Sequence, residues 1–250
     1  MEQTIREIYE AGTVVGRSGK THPLLSSAID PEEGQFIFDL IHDDPGITKT
    51  LEVGCCYGLS SLHICHALQG RGGAHHWMID PFQNTMWDGA GTKNLEDAGI
   101  DFFELIEDKS EFALPRLLEA NEGELDFILI DGWHTFDHTL VDSFYASRLL
   151  RVGGWLVIDD VSWPSVRRVV DFLKNYPCYA ECGSVSKKMP KSWKRTAARV
   201  LASPLDRATW EKVLAPTLCR RVFDDRRVRM IALKKAREDD RNWDWHVDTF

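Results

Sequence analysis

Three carboxylates close two short apolar runs. Asp131 ends "DFILID", and Asp159 and Asp160 end "GGWLVIDD". Side by side and unpaired, such groups repel one another, and some must stay protonated. A hard divalent cation removes that conflict, and an all-oxygen set favours Mg²⁺, with Ca²⁺ or Mn²⁺ as alternatives, over zinc. His134 follows Asp131 by three residues, and an imidazole there can take a proton near neutral pH. Other acids end other apolar runs: Glu52 and Asp80 in "TLEVG" and "HHWMID", and Asp108 in "FFELIED".

These acids need elements that bring them to one edge. Short, almost wholly apolar strands separated by amphipathic helices predict a parallel sheet covered on both faces. Strands are expected at about 49–54, "HHWMID", "FFELIED", "DFILID" and "GGWLVIDD", with helices reaching Leu68 and over about 111–121, 137–150 and 164–175. Asp30 as N-cap, Pro31 in the first turn and Glu33 as the capping-box partner predict a helix ahead of the first strand. The expected fold is α/β, a Rossmann-like doubly wound sheet, mostly parallel, with an antiparallel last strand "RVRMIALKK". A single domain spans 1–250, with an N-terminal helical region over 1–45 and a basic helical insertion over 187–222, where Ser203-Pro204 reads as a helix start.

In such sheets ligands sit beyond the carboxyl ends of the strands. The loop after the first strand reads G-C-C-Y-G between Gly54 and Gly58. A dinucleotide site would want G-x-G-x-x-G and a helix end free for pyrophosphate. A loop set among carboxylates suits instead a ligand with a positive centre and free ribose hydroxyls. S-adenosylmethionine has both.

"LEVGCCYGLSS" resembles the first motif of class I S-adenosylmethionine-dependent methyltransferases, in the form found in the catechol and caffeoyl-CoA O-methyltransferase group. "DPEEGQFIFDLI", "MIDPF", "DKSEFALPRL", "FILIDGWHTFDHTLVD" and "LLRVGGWLVIDD" follow the same group in order and spacing, and also resemble bacterial macrocin-type sugar O-methyltransferases. The resemblance covers roughly 28–175 and the last strand. It implies that Gly54, Cys55, Cys56, Gly58 and Ser60 line the methionine end of the cofactor, after Glu52. It further implies that Asp80 holds the ribose, that Ser110 and Trp133 meet the adenine, and that Asp131, Asp159 and Asp160 hold the metal. His134 falls where the catechol group has a base, and Asp131 counts with the cofactor residues as well. Two departures stand out: Cys56 replaces the central glycine of wider class I motifs, and Asp160 stands where the catechol group has Asn.

The implied function is O-methylation of a small hydroxylated acceptor, phenol or sugar, by in-line transfer. The alternatives are a metal-free N- or O-methyltransferase and a non-catalytic docking protein on the same scaffold. The chain of 250 residues carries net charge −9, yet residues 161–237 hold 19 Lys or Arg against 6 Asp or Glu. That basic stretch reads as a face for acidic regions of its own fold or of a second subunit, so a homo-oligomer is an open expectation. It includes Trp193 and Trp210 but no nucleic-acid motif, and nucleic acid is not an expected partner. There is no apolar run long enough for a bilayer and no secretory leader pattern in "MEQTIREIYEAG". Six cysteines without a C-x-x-C pair fit reduced thiols and a cytoplasmic location.

Overall fold

Asp30 begins the helix that leads into the sheet. Its side chain accepts hydrogen bonds from the backbone N–H groups of Glu32 and Glu33, and the Glu33 carboxylate accepts one from the Asp30 N–H, so the expected capping box forms. A computed structural model describes residues 2–25, 28–188, 209–210 and 225–248. The elements are α1 (Glu2–Ala11), β1 (Thr13–Val15), β2 (Thr21–Pro23), α2 (Pro31–His42), β3 (Lys49–Val53), α3 (Leu59–Leu68), β4 (His75–Ile79) and α4 (Ala90–Asp97). They continue with β5 (Phe103–Ile106), α5 (Ser110–Asn121), β6 (Leu125–Ile130), α6 (Phe136–Leu149), β7 (Leu150–Ile158), α7 (Pro164–Leu173), β8 (Tyr179–Lys188) and β9 (Arg226–Lys235).

Seven strands form one sheet in the order β5-β4-β3-β6-β7-β9-β8. The first five pair in parallel, and β9 runs antiparallel between β7 and β8. The expected doubly wound sheet with an antiparallel last strand is therefore present. β6 is buried along its whole length, as a central strand with both faces covered must be. Alternation splits its side chains: Phe127 and Leu129 join the core under α1 to α4, while Ile128 and Ile130 join the core under α5 to α7.

Two features depart from the sequence reading. Residues 179–188 form the edge strand β8, where no strand was expected. Its register shifts twice against β9, between Glu181 and Gly183 and between Val185 and Ser186, so the two-residue period that marks a strand is broken. The N-terminal region, expected as helical, carries a hairpin of β1 and β2 between its helices. The basic insertion lies outside the described residues except for Lys187 and Lys188 at the end of β8 and residues 209–210. Among the described residues no helix is long and apolar enough to cross a membrane.

The chain steps outward from β3 to β4 to β5, then crosses back to place β6 on the other side of β3. The crevice opens where the carboxyl ends of β3 and β6 diverge. Gly54 sits at that point with φ of +91°, and a Cβ there would lie 2.1 Å from the Asp131 carbonyl oxygen. Only glycine fits both demands.

Candidate active site

Asp80 ends β4 and organises the loop that follows β3. Its Oδ2 accepts the N–H groups of Cys56 at 2.8 Å and Cys55 at 3.2 Å, and its Oδ1 accepts Phe82 N–H at 2.8 Å. Gln83 Nε2 donates to Asp80 Oδ2 at 3.2 Å and to the Cys56 carbonyl at 2.5 Å. Asn94 on α4 donates to the Tyr57 carbonyl at 2.9 Å. Gly91 lets α4 approach, since a Cβ there would stand 2.8 Å from both Cys55 Sγ and the Cys56 carbonyl. Cys56 takes a left-handed φ of +47° at the place of the absent glycine. Burial pushes the Cys56 thiol up to about 12 and raises Cys55 well above the ordinary value, so both serve as packing groups.

The crevice is a cavity of about 690 Å³. Gly54, Cys55, Cys56, Ser60, Asp80, Ser110, Asp131, Trp133, His134 and Asp160 all line it. So do Leu25, Ala28 and Ile29, which follow the hairpin, and Met86 and Trp87 from the loop before α4. Trp133 is 58% exposed and stands at the rim, its ring 6.3 Å from that of Phe82.

Two expected cofactor residues, and the strand-end acid Asp108, fall elsewhere. Gly58 closes the loop with a left-handed φ and starts α3 without lining the cavity. Glu52 is fully buried beneath α3, where Ser61 Oγ donates to it and His76 Nε2 lies 3.6 Å away. It shares a face of β3 with Thr50, opposite Leu51 and Val53, so it braces the scaffold and does not meet the cavity. Asp108 is an exposed partner of Arg116 at 2.5 Å.

Asp131, His134 and Asp160 bring ligand atoms within 4.8 Å of one another. Asp159, expected as a ligand, is not in that cluster. It follows Val157 on the face toward α2, and both its oxygens are buried without a hydrogen-bond partner. Burial, then the charges of Asp131 and Glu33, raise its pKa well above the carboxylate range. Asp160 reaches the cavity because its backbone turns left-handed, φ +52°. Its Oδ2 lies 2.7 Å from His134 Nε2, as an ion pair outside hydrogen-bond alignment, and Asp131 Oδ1 lies 3.9 Å away. Contacts with the Asp131 and Asp160 carboxylates raise His134 to about 10. The role of neutral base expected of His134 therefore requires relief of that carboxylate charge. Desolvation, with Asp160 and Glu52 nearby, raises Asp131 to about 7. His134 also stacks on Trp163, ring centroids 5.6 Å apart at 12°.

A divalent cation suits the carboxylate oxygens that Asp131 and Asp160 bring together, hard donors whose charge is costly to bury uncompensated. Arg229 went unnoticed in the sequence and Glu33 was read only as a capping residue, because the two that flank the cluster lie 196 residues apart. Gln83, Gly91 and Asn94 went unnoticed too, although the glycines of "DGAGTKN" marked a close approach.

A doubly wound sheet with a glycine-bracketed loop after its first parallel strand, and an acid at the end of the next, is the architecture of class I S-adenosylmethionine-dependent methyltransferases. Residues 51–161 match Methyltransf_24, a methyltransferase domain family. Catechol O-methyltransferase B of Danio rerio is 30% identical over 155 residues, covering 60% of this chain and 56% of that protein, so the chain spans little more than half of this curated relative. The O-methyltransferase from Bacillus cereus, solved with SAH, shares the fold with a TM-score of 0.63 at 15% identity over 93% of this chain and 91% of that one. TomG of Streptomyces achromogenes, an O-methyltransferase involved in tomaymycin synthesis and solved with SAM, follows with a TM-score of 0.56 at 18% identity over 75% and 82%.

Proposed function

We propose that the protein transfers the methyl group of S-adenosylmethionine to a hydroxyl oxygen of a small phenolic or sugar acceptor, with a divalent cation held by Asp131 and Asp160. The observation that carries the reading is a single cavity shared by the Gly54–Gly58 loop, Asp80 and the Asp131–His134–Asp160 cluster. The named activities of the relatives agree with it. The methyl donor's ribose would lie against Asp80, and its adenine between Ser110 and Trp133. The loop would take the methionine end, with its sulfonium facing carboxylates rather than basic groups. A cation at the cluster would supply charge that favours the ionised hydroxyl.

The protein's own contribution is alignment of oxygen, methyl carbon and sulfur, and exclusion of water by Trp133, Met86 and Ile29. His134, held protonated, orients the acceptor oxygen and balances the carboxylates; it takes a proton only after that charge is relieved. A metal-free O-methyltransferase is the second reading, favoured by the cations His134 and Arg229 already set against Asp160. Transfer of labelled methyl to a panel of catechols and sugar diols, with and without chelator, tests both. Labelled product lost on chelation and restored by Mg²⁺, Mn²⁺ or Ca²⁺ supports the first reading. Unchanged turnover after chelation supports the second, and tight binding of NAD with none of the methyl donor defeats both.

A further inference from the structure

A partly buried line of charge runs from the start of α2 to the cavity. Glu33 is fully buried; its Oε1 faces Arg229 Nε at 3.2 Å and Lys187 Nζ at 3.3 Å, and its Oε2 accepts Asp30 N–H at 3.0 Å. Lys187 also pairs with Asp30. From β9, Arg229 turns Nη1 to Asp160 Oδ1 at 3.1 Å. One guanidinium therefore bridges two buried carboxylates, one in the N-terminal capping box and one in the cavity wall. Its planar fork fixes both orientations, and its charge does not titrate away. Asp160 is left with Oδ2, which faces His134 Nε2 at 2.7 Å, to offer the cavity.

We propose that Arg229, held in place by Glu33, is a positioning residue that restricts Asp160 to one ligand oxygen and keeps a cation at the cluster weakly held and exchangeable. This rests on the reading that a cation binds at Asp131 and Asp160. The physical basis is charge at short range. A guanidinium in contact with a ligand carboxylate competes for it and repels a second positive charge, and burial leaves little water or salt to screen the repulsion. Glu33 works in the opposite sense, because its carboxylate offsets part of the guanidinium charge. The pair also explains how strand-end acids stay packed before a cation arrives.

The two residues thus carry opposite signs, which a merely structural role would not produce. Mn²⁺ binding to the full-length chain, followed by electron paramagnetic resonance of the free ion and by calorimetry, reads the effect without turnover. Arg229→Gln is expected to tighten Mn²⁺ binding on the order of tenfold, and Glu33→Gln to weaken it severalfold. Where Arg229→Gln leaves Glu33 unpaired and the variant does not fold, the double variant Glu33→Gln with Arg229→Gln removes the buried pair as a unit. It is expected to bind Mn²⁺ more tightly than the parent, since the lost guanidinium was the nearer charge. Weaker or unchanged binding in the foldable Arg229 variant, or tighter binding in Glu33→Gln, overturns the inference. A parent chain that binds S-adenosylmethionine but no Mn²⁺ overturns it together with the cation reading, and leaves the methyltransferase reading standing.

Discussion

The two sides of the crevice are built on opposite principles. On the β3–β4 side Asp80 is saturated: backbone and amide N–H groups from Cys55, Cys56, Phe82 and Gln83 all point at it. On the β6–β7 side no carboxylate is saturated by backbone. Asp131 and Asp160 lean on His134 and Arg229, and neither Asp159 oxygen has a hydrogen-bond partner among the described residues. The first side is preformed, because neutral donors that belong to the fold hold its charge. The second is electrostatically incomplete, and its charge balance can change with what binds. A rigid grip on one substrate and an adjustable field around the other follow from that difference.

The most severe way to break the comparison is at the hinge between the sides. Gly54→Ala forces a Cβ to within 2.1 Å of the Asp131 carbonyl at a φ of +91°. The expected cost is more than about 3 kcal/mol, with donor binding lost. A urea midpoint within error of the parent would show that β3 and β6 are not as tightly joined as the contact implies.

On the saturated side, Asp80→Ala removes the acceptor that gathers three backbone N–H groups. Methyl-donor affinity should fall by about 1.5–3 kcal/mol, the range for charged hydrogen bonds. Calorimetry checks this, and cation affinity should hardly move. Equal losses in both would mean that the two sides are one cooperative unit.

On the incomplete side, Asp159→Asn should raise thermal stability in chelator at pH 8 by on the order of 1–2 kcal/mol, because a buried unpartnered acid no longer has to be accommodated. Added Mn²⁺ should then stabilise the variant less than it stabilises the parent. A variant that melts below the parent in chelator would show that Asp159 has a favourable partner in solution.

The same contrast governs what was legible in the sequence. The saturated side depends on local order: Gly54, Cys55 and Cys56 follow a strand, and Asp80 ends the next, so motif spacing pointed to them. Glu52 misled because its place in the motif and its place on the strand disagree. Strand alternation sends it under α3, where Ser61 donates to its Oε2. The incomplete side depends on contacts distant in the chain. "DD" at 159–160 reads as two equivalent acids, and only the left-handed turn at Asp160 separates them. Nothing local ties Glu33 to Arg229. β8 stayed hidden because two register shifts erase its period.

The smallest expected effect is a difference in pH response between the helices that back the two sides. His63 on α3 packs behind the saturated side, where a Cβ on Gly34 would touch its ring. Burial, with a smaller push from His66, lowers His63 to about 4. The unfolded chain therefore takes the proton more readily, and His63's contribution is complete above its ordinary value of 6.5 and lost as pH falls toward 4. Asp142 on α6 backs the incomplete side, and burial raises it from 3.8 to about 6. Here the folded chain takes the proton more readily, so the contribution is present below 3.8 and lost as pH rises through 6. Each slope should be roughly 1 kcal/mol per pH unit inside its window. Urea midpoints of the parent, His63→Leu and Asp142→Asn over these windows read the two slopes separately. The two windows overlap between about pH 4 and 6 with opposite signs, so His63→Leu should make stability fall less on acidification there, and Asp142→Asn should make it fall more. If both variants change the slope in the same direction, burial is not the governing term for one of them, and the division of the molecule into a saturated and an incomplete side does not extend to its supporting helices.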